Sequence, residues 1–449
     1  MDNLSKKYGL FTAMALVVGI VIGSGVFFKA EKVLNATGGN LPIGILAWII
    51  GGIIMVICAY NFAVMATKYE KVNGLVDYAE QACGKKYGYF VGWFMAIIYY
   101  PSLVSVLAWI SGRYIGVLLG FDITSAEVMT ISMFVLVASF TLNTISPILA
   151  GKFQVSTTVI KMIPLAIMAV VGTIVGLSNG VMIENFTTVV DPTVSTSTGL
   201  FTAVCATCFA YEGWIIATSI NAELKDAKKN LPIALVGGTL IVVVTYVVYY
   251  IGLAGSIGNA DLMSLGEEGV KQAFTNLLGS GGATILMVFI VISVLGTENG
   301  LMLGGVRALY SLAARDLGPK QDMLKTIDKT TGMPTNSCVL GLFLSGFWLL
   351  YFYGANLTST WFGVFTFDSS EIPIVTIYAL YIPIFIMMMK KEKDLPFFKR
   401  FVMPIAGCAA SLVMMTASIV SHGWANFYYL IVFAVVGVVG MIFMNKKAK

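Results

Sequence analysis

Two stretches of this 449-residue chain put helix-breaking residues inside otherwise apolar runs: Gly23-Ser24-Gly25, within Val18 to Phe27, and Glu212-Gly213, within Cys208 to Trp214. A helix that opens at mid-membrane depth leaves bare amides on one side of the break and bare carbonyls on the other. Hydrocarbon tolerates these only where they line a cavity or are wrapped by protein. The amides of Ser24, Gly25 and Val26 begin a new helix and present the positive end of its dipole, which suits a carboxylate. The carbonyls near Val21, Phe209 and Glu212 present the opposite partial charge, which suits an ammonium. A small zwitterion carries both groups close together. Gly23 and Gly25 also read as small residues that let helices pack closely, but the second break favours the cavity.

Two charged residues lie deep in apolar segments. Lys161 is about nine residues into its span, ~14 Å at 1.5 Å per residue, which is near the middle of a ~30 Å hydrocarbon core and too deep to snorkel comfortably. It needs a partner, and carbonyls freed by the first break are available; a proton-carrying role for this lysine stays open. Glu298 can pair with Lys161, line the pocket with Glu212, or face a water-filled path without touching ligand. Asp368 and Glu371 raise the same question more weakly, because they stand at a span boundary where solvated acids are ordinary. Cys205-x-x-Cys208 has a metal-like spacing but lacks a second ligand pair in sequence, so packing is its expected use. The single histidine, His422, is expected at a membrane interface beside Trp424.

These residues need a membrane scaffold. The chain is 58% hydrophobic and 11% charged, and its mean hydropathy is +0.87; these values mark an integral membrane protein. About twelve apolar stretches reach spanning length. The first six run Gly9 to Phe28, Leu41 to Ala66, Tyr87 to Gly120, Val128 to Ile145, Phe153 to Leu177 and Leu200 to Ile220. The second six run Ile233 to Gly255, Ala283 to Ala313, Ser337 to Phe352, Trp361 to Met389, Phe401 to Ser421 and Phe427 to Phe443. Basic residues gather in alternate joints, from Lys6 and Lys7 through Lys68, Lys71, Lys85, Lys152, Lys228, Arg315 and Lys391 to Lys446, Lys447 and Lys449. The positive-inside rule therefore puts both termini in the cytoplasm. The net charge of +5 is topological, and no nucleic-acid partner is expected. No small-x-small cleavage site follows the first apolar segment, which reads as a retained span.

Gly23-Ser24-Gly25, Phe209 to Trp214, Glu223, Leu231-Pro232 and Gly296-x-x-Asn299-Gly300 together resemble the amino acid, polyamine and organocation (APC) transporter superfamily, and within it the L-amino-acid transporter (LAT) branch. The likeness covers nearly the whole chain and is weakest after about Phe352. It implies an all-α membrane protein of the LeuT type: a five-plus-five inverted repeat, roughly 9–177 and 200–389, with broken first and sixth helices. Two accessory helices would follow over roughly 401–443.

The resemblance assigns carboxylate binding to the amides of Ser24 and Gly25. It assigns ammonium binding to the carbonyls of Val21, Phe209 and Glu212, and a substrate-covering role to Phe209, which on its own reads equally as core. Ala210 lies within that sixth-helix motif, and Ser102, Trp214 and Ile215 are the side-chain selectivity candidates. Lys161 would occupy the place of a sodium ion, which implies sodium-independent transport; Glu298 departs from a position that is usually neutral in the branch.

The expected function is alternating-access exchange of small or medium neutral L-amino acids such as serine, threonine and alanine in the plasma membrane. The alternatives are a proton-coupled permease, a cationic amino acid or polyamine exchanger and, from another class, an amino-acid sensor. A sensor is less expected because no soluble signalling domain flanks the spans. A membrane enzyme is disfavoured by the lack of a nucleophile–base pair or catalytic carboxylate pair, and a channel by the lack of a filter repeat. No cofactor is implied. Eukaryotic members of the branch pair with a glycoprotein through an external cysteine; the predicted external joints here have none, so no partner subunit is expected.

Overall fold

The computed structural model describes residues 9–69, 74–122, 124–358 and 361–445. The basic residues Lys6, Lys7, Lys71, Lys446, Lys447 and Lys449 lie outside them. Among the described residues the architecture is helical throughout, and ten helices are long and apolar enough to cross a membrane. An eleventh crossing is a bent pair, Leu10–Val21 and Gly25–Ala36, which meet at 47°. This pair is the first span. The sixth is the short apolar helix Thr196–Ala210, continued after a break by the 3-10 segment Trp214–Glu223.

The other spans follow their expected order, with ends shifted by a few residues. They are Leu41–Lys68 (second), Lys85–Leu119 (third), Ala126–Ile145 (fourth), Ile148–Asn179 (fifth), Ala227–Ser256 (seventh), Glu268–Ala313 (eighth), Thr335–Leu357 (ninth), Ile372–Lys391 (tenth), Phe398–His422 (eleventh) and Trp424–Met444 (twelfth). In the eighth, Gly279 has φ +71°, a value that suits glycine, and separates a leading segment from the apolar span.

Besides the eighth helix, which begins at Glu268 rather than Ala283, a second start differs substantially. The tenth span begins at Ile372 rather than Trp361. Gly363 has φ +53°, and the Asp368 carboxylate accepts from the Ser370 amide at 2.7 Å. That side-chain turn competes with a helical ladder. Helix then starts with Pro373 in its first turn, where a missing N–H is harmless.

The first and sixth spans cross at the centre. A Cβ on Gly25 would meet the Ala210 Cα at 2.4 Å, and one on Gly213 would meet the Ile20 Cγ2 at 2.9 Å. The second half of the first span therefore packs on the first half of the sixth, and the break of each faces the other. At the basic end of the bundle, Lys68 pairs with Glu392, and Arg315 pairs with Asp77 and, at 2.9 Å, with Glu80.

Candidate functional site

The break in the first span follows from its residues. Helix ends at Val21, and Ile22 turns extended with ψ 111°. Ser24 caps a second helix that begins at Gly25, so the amides that follow it are among those an α-helix leaves without an intrahelical acceptor. The glycines serve two ends. Gly23 leaves room for Thr297, whose Oγ1 would lie 2.0 Å from an added Cβ, while Gly25 admits the backbone of Ala210. Close packing and an open backbone therefore occur together.

Lys161 is fully buried, farther along its span than the sequence places it, with its ammonium on the broken helix. Nζ donates to the Gly19 carbonyl at 2.6 Å and the Ile22 carbonyl at 2.7 Å, with the Thr297 hydroxyl at 3.4 Å. Thr297 also donates to Ile22 O at 3.2 Å. The fifth span starts at Ile148, so Lys161 is roughly 20 Å along its axis. Helix is locally irregular at Lys161, because Pro164 lacks the N–H that would bond back toward Ile160. The pairing of Lys161 with Glu298 does not form. Glu298 lies fully buried on the eighth span, both carboxyl oxygens lack a hydrogen bond within 3.5 Å, and the Ser139 hydroxyl stands alongside.

The remaining candidates divide by what they touch. The Val21 carbonyl accepts from the Tyr246 hydroxyl at 2.9 Å, so one lone pair of this predicted ammonium ligand is already used. The Phe209 carbonyl accepts the Glu212 amide at 3.4 Å. Glu212 accepts from the Tyr99 hydroxyl through Oε1, and Oε2 is buried without a partner. The Phe209 ring meets Phe28 edge-on at 5.9 Å, and Phe28 in turn meets Trp109 at 6.0 Å. On the other side of the break Trp214 packs on Phe62 at 5.9 Å and on Tyr381 at 6.1 Å. Ser24, Val26, Ala210 and Ile215 are all buried.

Ser102 is also buried, but its hydroxyl bonds back to the Tyr99 carbonyl at 3.1 Å. As a selectivity residue it would first have to release that bond. Phe28 and Phe209 thus pack together on one side of the breaks, and Trp214 with Phe62 and Tyr381 on the other. A surface cavity of about 440 Å³ lies where the third span ends and the eighth begins, beside Val117, Asp122 and Lys271, and does not reach either break.

Sequence reasoning missed the second polar centre. Lys29, which falls just past the expected end of the first span at Phe28, is fully buried in the second half of that span and pairs with Glu371, and His422 reaches the same carboxylate at 3.0 Å. His422 is therefore an inward-facing partner rather than an interfacial residue, and Glu371 is a buried ion-pair member rather than a solvated acid. The available signal was Lys29 itself, a charge within reach of an apolar run.

A family model described as amino acid permease matches residues 8–440. The serine/threonine exchanger SteT of Bacillus subtilis is 29% identical over 94% of this chain and 92% of its own length. The b(0,+)-type amino acid transporter 1 of Mus musculus is 24% identical over 97% and 87%. The aspartate-proton symporter of Bacillus subtilis is 26% identical over 79% and 69%. Because the family match runs through both helix breaks and nearly all the spans that hold them, this multi-pass membrane protein belongs to the amino acid permease family.

Proposed function

We propose that this chain is an amino acid exchanger for small or medium neutral L-amino acids, with serine, threonine and alanine among them, working by alternating access without sodium. The reading rests on one observation above all: the amide-rich start at Gly25 and the carbonyl-rich end at Ala210 touch, so a carboxylate and an ammonium on one carbon can be met at once. Kinship with SteT supports the substrate class and exchange. The two broken spans support an inverted repeat over 9–177 and 200–389, and the basic joints support cytoplasmic termini in the plasma membrane. Alternating access would open the site by parting Phe28 and Phe209 on one side and Trp214 and its neighbours on the other. The chain acts without a partner subunit, and Lys161 stands where a coupling cation would neutralise the freed carbonyls.

Counterflow in liposomes tests this. Vesicles preloaded with unlabelled serine take up labelled serine at least about ten-fold faster than empty ones, equally with external sodium or choline. Competition by each of the twenty amino acids ranks small neutral ones first. Equal uptake by loaded and empty vesicles rejects exchange, and a need for sodium rejects the role given to Lys161.

Proton coupling is the second reading, favoured by the fully buried carboxyl of Glu298 within the eighth span. Glu298→Gln keeps the shape and removes the ionisable group. Under exchange, uptake at fixed pH stays within about two-fold and is indifferent to a pH gradient before and after the change. Under proton coupling the native chain responds to the gradient and Glu298→Gln does not.

A further inference from the structure

Three side chains from three spans converge at the end of the bundle opposite the paired Lys68 and Arg315. Cys205 comes from the first half of the sixth span, Glu371 from the start of the tenth, and His422 from the end of the eleventh. Cys205 Sγ is 3.5 Å from Glu371 Oε2 and 3.8 Å from His422 Nε2, and those two are 3.0 Å apart. All three ligand-capable atoms lie within 4.8 Å of one another. Zinc bonds of about 2.0–2.3 Å at tetrahedral angles set ligand atoms roughly 3.3–3.6 Å apart, and the observed edges bracket that range. A thiol, an imidazole and a carboxylate are also the donor set zinc prefers.

The surroundings complete the case. Cys208, one turn on from Cys205, carries its thiol beside that of Cys205 and 3.9 Å from the Glu371 carbonyl, at the edge of the three-ligand cluster. Cys205 thus finds in space, in Glu371 and His422, the ligand pair that the sequence around it lacks. Lys29 binds Glu371 through Oε1 and leaves Oε2 turned to the other two ligands. His422 is 14% exposed on its side chain, which leaves an approach from that end.

We propose that Cys205, Glu371 and His422 form a binding site for a soft divalent cation of the zinc class, with water in the fourth position. Binding exchanges the Cys205 thiol proton for a metal–sulfur bond, with the proton passing to solvent. The ion joins the sixth, tenth and eleventh spans, and through Glu371 and Lys29 the first, at one end of the helix-break site. Neither the metal nor its ligands depend on which solute the chain carries.

The purified full chain, stripped with chelator and titrated with Co²⁺, is expected to show thiolate-to-cobalt charge-transfer absorption saturating at one ion per chain and displaced by Zn²⁺. Cys205→Ser abolishes this band, and His422→Gln weakens Zn²⁺ binding at least about ten-fold. A variant with Cys58, Cys83, Cys338 and Cys408 all changed to alanine keeps the band in full. That variant decides the matter even if Cys205→Ser fails to fold, since the only thiols it leaves are Cys205 and its neighbour Cys208. No band in the native chain, loss of the band in the four-cysteine variant, or unchanged affinity in His422→Gln overturns the proposal.

Discussion

Gly25→Val is expected to abolish exchange in liposomes, and Gly25→Ala to lower it at least about ten-fold, while the protein still inserts and purifies. A methyl at this position lands 2.4 Å from the Ala210 Cα, 2.9 Å from its Cβ and 3.2 Å from its N. These neighbours are largely backbone, so no rotamer change relieves the overlap, and the two half-helices must separate. Overpacking of this kind costs about 1–3 kcal/mol. That energy falls on the contact that holds the amide end of one break against the carbonyl end of the other. Backbone strain is not the cause, since Gly25 is absent from the positive-φ glycines. Gly151→Ala is the matched control: the same change in a helix, with nothing within 4 Å of the new methyl. Its uptake stays native. If Gly25→Val exchanges normally, the contact between the breaks is not part of the transport site.

Lys161→Met should be nearly as severe. The methionine fills most of the volume but leaves the Gly19 and Ile22 carbonyls without their charged donor at 2.6 and 2.7 Å. An unsatisfied buried acceptor costs roughly 1–3 kcal/mol; the Ile22 carbonyl keeps the Thr297 hydroxyl at 3.2 Å, so that cost falls chiefly through the Gly19 carbonyl on the broken conformation. Exchange is expected to fall by about two orders of magnitude or more, and the melting temperature of the detergent-solubilised protein to drop. Thr297→Val, which removes only the hydroxyl at 3.4 Å from the ammonium and 3.2 Å from Ile22 O, is milder on both measures. Normal exchange together with a normal melting temperature in Lys161→Met would falsify the view that the lysine holds the first break open.

The two substitutions probe what sequence could and could not tell. The break at Gly23-Ser24-Gly25 and the burial of Lys161 were readable from composition and spacing, because local backbone freedom and a charge in hydrocarbon are properties of a short segment. The sixth span was readable in part. Its interruption at Tyr211 to Gly213 follows from Gly213, which adopts φ +102°, but the 3-10 course from Trp214 to Glu223 carries no such mark. The late start of the tenth span was hidden, because an Asx turn at Asp368 overrides an apolar pattern that continues to its N-terminal side.

The amino-acid order by itself determined a bundle of membrane spans, two interruptions near its centre and a buried ammonium in want of carbonyls, since hydropathy, glycine and charge act within a few residues of where they stand. Only the tertiary structure decided which groups met. It set the Tyr246 hydroxyl on the Val21 carbonyl, turned the Ser102 hydroxyl onto its own helix, kept Glu298 away from Lys161 and drew Lys29, Cys205, Glu371 and His422 into one cluster. Lys29 and Glu371 are 342 positions apart. Such encounters depend on how whole helices cross, and crossing is settled by the packing of all their faces together rather than by any one stretch of chain.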